Sequence, residues 1–177
     1  MEEIFVPDAT REPQAYAQTL LEILGDRDPM TVLSATPARL VDIVARTEGA
    51  LLLMRPSDIE WSVAEIIGHL VDSEIAYSLR WRLMLTKEQP HYPAHDEKAF
   101  VALPKPPLTQ VLTLFGALRA YDVWLLAHAP HEAWQRVGVH EEQGLETVER
   151  NVRKLAAHDL AHLNQIARAL AAVCAGE

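Results

Sequence analysis

The sequence holds one cysteine, few glycines and no long apolar run, and each shortage removes a class of protein. Cys174 stands alone among 177 residues, so no internal disulfide can form; this fits a reducing cytoplasm, the location we expect. It lies close to the C-terminus with no basic neighbour, which argues against a reactive thiolate. No stretch approaches the roughly 20 apolar residues of a membrane-spanning helix. The start, MEEIFVPDATREP, is acidic and lacks the basic residues and apolar core of a signal peptide. Positive charge is also scarce, with 16 Lys and Arg against 25 Asp and Glu for a net charge of −9. Such a surface repels a phosphate backbone, and the clearest basic group is only Arg80-Trp81-Arg82. Nucleic acids and membranes are therefore not expected partners, and a small-molecule substrate is.

What is present is helical. Apolar residues make up 49% of the chain, enough for the core of a single domain over 1–177. They recur at three and four rather than alternating. A first helix is expected from about Glu12 to Leu24, ending at Gly25-Asp26. Pro29 and Pro37 each suit a helical first turn, so 29–55 reads as short helical pieces. Ser62-Val-Ala-Glu65 is a capping box, opening a helix to about Leu85 with Val63, Ile67, Leu70, Tyr77, Trp81 and Met84 as its apolar stripe. The proline-rich stretch 88–107 is too long for a simple hairpin between neighbouring helices and implies a crossover along a bundle. A further helix runs from about Leu108 to Ala127 with Leu112, Phe115, Leu118 and Leu125 inward. After an irregular stretch, the last helix covers about Leu145 to Ala175.

Eight histidines are present, and two pairs stand four residues apart. An interval alone is weak, because chance produces it readily. In HYPAH, His91 and His95 bracket Pro93, which breaks helical geometry, so a solvated loop is expected there. His128 and His131 flank a helix end, where a histidine interacts with the helix dipole. The pair in HDLAHLNQ differs. Val148, Val152, Leu155, Asp159, His162, Ile166 and Val173 form one stripe, with His158 and Gln165 on its flank. Asp159 and His162 interrupt an apolar face mid-helix, and burying them unpartnered costs on the order of 1–3 kcal/mol each. Two imidazoles at i and i+4 can converge on one divalent ion. A third ligand would come from a facing helix, where His69 of EIIGHLVDSE is the candidate. The alternative for His69 is a core histidine bonded to Asp72 or Ser73.

WSVAEIIGHLVDSEIAYSLRWRLML and HDLAHLNQI resemble the two histidine-bearing segments of DinB/YfiT-like proteins. RPSDIEW, the EQP…HDE connection and GVHEEQG extend the resemblance over roughly residues 37–173. It implies an all-α four-helix bundle with a long crossover connection, here with extra short N-terminal helices. It implies one divalent ion (zinc, nickel or iron) held by His69, His158 and His162, and frequently a homodimer. Members are described as metal-dependent hydrolases or as thiol-dependent S-transferases and isomerases, and the family name does not imply DNA binding.

Three imidazoles leave a coordination position open, as in catalytic zinc sites, where the pKa of a bound water falls toward about 7. Hydrolysis would need a nearby general base, and Asp72 and Asp159 are the nearest acids in sequence; either instead orients a ligand ring. In the transferase reading a low-molecular-weight thiol binds at the open position and attacks an electrophile. A metal-stabilised bundle without turnover is the third reading. Arg80, eleven residues after His69 and near the same face, is expected in a surface salt bridge; its second reading is a hold on an anionic group of substrate or thiol.

Overall fold

The capping box forms as the sequence indicates. In the computed structural model, which describes residues 11–175, the Ser62 hydroxyl accepts from the Glu65 amide while the Glu65 carboxylate accepts from the Ser62 amide. The acidic start discussed above lies largely outside the described residues.

Four long helices make the bundle: α2 (Pro29–Arg46), α4 (Val63–Thr86), α6 (Leu108–His128) and α7 (Val148–Ala175), with α1 (Pro13–Leu24) packed on α7. Short helices α3 (Gly49–Leu53) and α5 (Glu97–Val101) lie in the connections. The core has two parts. Around Trp81, Met84, Val152 and Leu155 it fills the space beneath α1, and around Ile66, Leu70, Phe115 and Ile166 it fills the opposite end. No described helix is long and apolar enough to cross a membrane.

Three features depart from the sequence reading. Residues 29–46 form one continuous helix with Pro37 inside it. A proline there removes the amide that would bond the Leu33 carbonyl, and that carbonyl instead accepts from Arg119 Nη1 at 2.9 Å. Second, the irregular connections build a small sheet. β1 (His91–Tyr92) pairs in parallel with β2 (Val137–His140), which pairs antiparallel with β3 (Gly144–Thr147). Its strands are too short to show alternation, and β3 takes the residues expected to open the last helix. Gly138 lets this sheet lie against α4: a Cβ there would sit 2.5 Å from Tyr92 Cε1 and 2.9 Å from Met84 Cγ. Third, the buried residues of α6 are Val111, Phe115, Arg119, Asp122 and Leu126, while Leu112, Leu118 and Leu125 are half-buried beside them.

Arg119 explains that third difference. Its Nε and Nη2 donate to Glu74 Oε2 at 2.9 and 2.7 Å, and its Nη1 and Nη2 donate to Asp159 at 2.6 and 3.3 Å. With the Leu33 carbonyl, one guanidinium on α6 binds α2, α4 and α7. All three side chains are essentially inaccessible to solvent. Two carboxylates on one cation leave excess negative charge, and burial pushes Glu74 up to about 7 despite the opposing pull of Arg119.

Replacing Arg119 by Met strands both carboxylates without their cation. The expected loss is about 3–5 kcal/mol of stability, read from urea denaturation; a loss below about 1 kcal/mol would show that the node does not hold the bundle.

Candidate metal centre

The capping box fixes the start of α4 and so the direction of His69, which is fully buried with Trp61 against its ring (centroids 5.1 Å apart). From α7, His158 and His162 project one turn apart toward it. The Nε2 atoms of His69 and His162 each lie 3.0 Å from Nε2 of His158. One ligand nitrogen from each ring lies within 4.8 Å of the others, so the structure brings the three sequence-selected histidines to one point.

The tautomers define what that point presents. His162 Nδ1 lies 2.7 Å from Gln165 Oε1, an acceptor, so the neutral ring carries its proton on Nδ1 and directs the Nε2 lone pair inward. Burial lowers the pKa of all three rings, and the neighbouring imidazoles add to this for His69 and His158. His69 falls to about 2. Three neutral imidazoles aimed at one point have no shared proton arrangement that satisfies every nitrogen: His69 Nδ1 and His158 Nδ1 are buried with no hydrogen-bond partner. A cation at the common point would take up the crowded Nε2 lone pairs, leaving the Nδ1 atoms of His69 and His158 to carry the ring protons, and an all-imidazole set with a free side suits a borderline divalent metal.

The two acids selected from the sequence are each engaged by a cation of the protein. Asp159 has both oxygens on Arg119. Asp72 is half-buried and pairs with Lys105 at 3.0 Å. Gln165, placed on the helix flank by the sequence, is the partner of a candidate ligand ring.

A cavity of about 700 Å³ opens beside the histidines, with His158 in its wall and Ser73, Tyr77 and Arg80 of α4 lining it. His95 and His140 also line it. His95 was expected in a solvated loop; instead its Nε2 is buried without a partner, and burial lowers its pKa. Its loop partner His91 is exposed as expected. His140 Nδ1 accepts from the amides of Glu142 and Gln143 at 3.1 and 3.3 Å. Beside it, Lys154 is wholly buried and donates to Glu146 at 2.5 Å and to Gln143. His128 remains on the helix-end carbonyl of Trp124 at 2.8 Å.

A helical bundle that brings three histidines together at the wall of a cavity defines a structural class, and comparison with known proteins identifies the family. The sequence profile of the DinB superfamily matches residues 33–166; the chain belongs to that superfamily. A protein of Oceanobacillus iheyensis named "putative metal-dependent hydrolase" is 29% identical over 112 residues, covering 62% of this chain and 65% of its own length. One of Halalkalibacterium halodurans with the same description is 24% identical over 140 residues, covering 78% and 82%. The chain thus spans just under two thirds of the first of these relatives. The solved structure of YfiT from Bacillus subtilis, a four-helix bundle, superposes with a TM-score of 0.74 at 22% identity, covering 95% of this chain and 93% of that one.

The buried rings set a pH dependence. Folded, their pKa values lie below the unfolded value, so acid protonates the unfolded chain first. Their contribution to stability is complete above about pH 6.5 and declines as pH falls toward the folded values. Glu74, shifted upward, has the opposite sign, but it is one group against three. Metal-free protein should therefore lose stability from pH 7 to pH 5 in urea titrations; no loss would mean that the rings titrate no lower in the folded protein than in the unfolded chain.

Proposed function

We propose that this protein is a metal-dependent hydrolase of small molecules, with His69, His158 and His162 holding one divalent ion. The observation that carries this reading is the approach of three neutral imidazole nitrogens to one point at the wall of a cavity. When bound, zinc, nickel or iron would supply a Lewis acid with an open position for water or a substrate oxygen.

The chain's own residues divide the remaining work. Gln165 holds the His162 proton on Nδ1 and keeps its other nitrogen available. Arg119 and Asp159 fix α7 against α4 and α6, which sets the approach of the rings. His95 is neutral, lines the same cavity and has a buried, unpartnered Nε2. We assign it the proton released when water attacks the substrate. Burial and Arg80 disfavour the charged form of His95, and Asp72 partly offsets them, which is the role we assign to it after proton transfer. Asp159 is a positioning residue in this reading, since Arg119 occupies its carboxylate.

Purified protein should contain about one divalent ion per chain by elemental analysis, and His162→Ala should remove it. A full complement in that variant would sink the site.

Activated esters and amides should be hydrolysed by the metal-loaded protein without added thiol. His95→Asn should lower kcat by roughly 10²–10⁴-fold with metal content unchanged. Turnover that depends strictly on glutathione, bacillithiol or mycothiol would move the function to thiol transfer, and a His95→Asn variant with full kcat would remove His95 from the reaction.

A further inference from the structure

Arg80 does not form the surface salt bridge that its sequence position suggests. It is 4% exposed, and among the described residues it has no ion pair with a carboxylate. Its guanidinium lies over two aromatic faces, with Cζ 4.9 Å from the Tyr77 ring centre and 5.3 Å from that of Tyr92. Nη2 donates to the Pro93 carbonyl at 3.2 Å. Among the described residues no other protein acceptor bonds its remaining N–H groups, although a guanidinium carries five. Arg80 lines the cavity.

Buried cations are ordinarily paired, and the surroundings make this exception specific. The pairing of β1 with β2 places Tyr92 opposite His140; the Tyr92 ring lies against the guanidinium, and His140 lines the cavity with it. Because His140 Nδ1 accepts two backbone amides, its neutral ring carries the proton on Nε2 as a second donor. Nearby Lys154 is already neutralised by Glu146; Arg11 and Lys98 also line the cavity but are exposed, whereas Arg80 is the buried cation in its wall. Acidic residues also line the cavity: Asp96 and Glu142 are exposed and Glu97 is half-buried. They oppose a multiply charged ligand more than a singly charged one. Ser73, Tyr77 and Arg80 continue the helical row that begins at His69. Arg80 is eleven residues on, about 16 Å along the axis, and helical side chains lean back toward the N-terminus. The cavity along Ser73, Tyr77 and Arg80, with His158 in its wall, has a volume of about 700 Å³, the size of small-molecule sites.

We propose that Arg80 and His140 form the anion-binding end of this cavity, selecting an elongated substrate that carries a single carboxylate distant from the bond presented to the histidines. The inference rests on the hydrolase reading for the reacting end, while carboxylate binding at Arg80 does not require a metal.

Two titrations separate these parts. In metal-free protein, benzoate and benzamide are added while calorimetry and the Arg80 Nε–Hε NMR signal are followed. Benzoate should bind with a shift of that signal and at least about tenfold more tightly than benzamide. Arg80→Met should lose this preference, and Arg80→Lys, which keeps the charge without the planar fork, should retain part of it. In zinc-loaded protein, a hydroxamate with a terminal carboxylate should bind at least about tenfold more tightly than its terminal-amide analogue, with the advantage lost in Arg80→Met. Equal affinity for benzoate and benzamide, or an unmoved Arg80 signal, would overturn the proposal; should Arg80→Met not fold, the wild-type signal and Arg80→Lys still decide it. If benzoate binds at Arg80 but neither hydroxamate responds to zinc, the anion site stands and the metal reading fails.

Discussion

A single guanidinium with no access to solvent determines how the four helices meet. Arg119 extends from α6 to a carboxylate on α4, a carboxylate on α7 and a main-chain carbonyl on α2. Apolar packing tolerates small slips between helices, because one methyl group can replace another. Hydrogen bonds to a planar fork do not, since their strength falls steeply with distance and angle. Pro37 belongs to this arrangement: by withholding its amide it leaves the Leu33 carbonyl open, and the arginine occupies it. The helix is interrupted chemically at a proline without being interrupted in space.

The histidine cluster depends on this registry. Asp159 is adjacent to His158 and one turn before His162, while Glu74 lies five residues after His69. The ion pair and the imidazoles are therefore neighbouring layers of the same α4–α7 contact. Fixing one layer fixes the other, so three rings can be held close together without any carboxylate of their own. The polar interior then has two charge characters. One layer carries excess negative charge around Arg119, and the next is a neutral set of nitrogen lone pairs suited to a cation.

Much of this was legible in the chain. The helix limits follow from caps and breakers, with the Ser62–Glu65 box the clearest, and the His158/His162 pair was marked by polar groups in an apolar stripe. The same signal existed on α6, where Arg119 and Asp122 lie on the inward face, but Leu112, Leu118 and Leu125 offered a more apolar alternative one position away. Choosing correctly needs the partners of Arg119, which lie 40 to 86 residues distant. His95 and Arg80 were placed at the surface for a related reason. A loop histidine and a helix arginine become buried only when β1 pairs with β2, and two to four residues carry too little pattern to announce a strand. On the sequence alone Pro37 suits the first turn of a new helix, because nothing local shows that a distant side chain will serve the orphaned carbonyl.

The parallel pairing of β1 and β2 also gives the molecule two levels of rigidity. β1 is two residues long, and it anchors the crossover segment that carries His95 and α5 across the cavity. Such a short ladder opens locally at far less cost than the buried core. Amide exchange at Tyr92 and Val139 would accordingly run well ahead of exchange in mid-α4 and mid-α7. That wall of the cavity is thus held by a two-residue ladder, while the histidines are held one layer from Arg119.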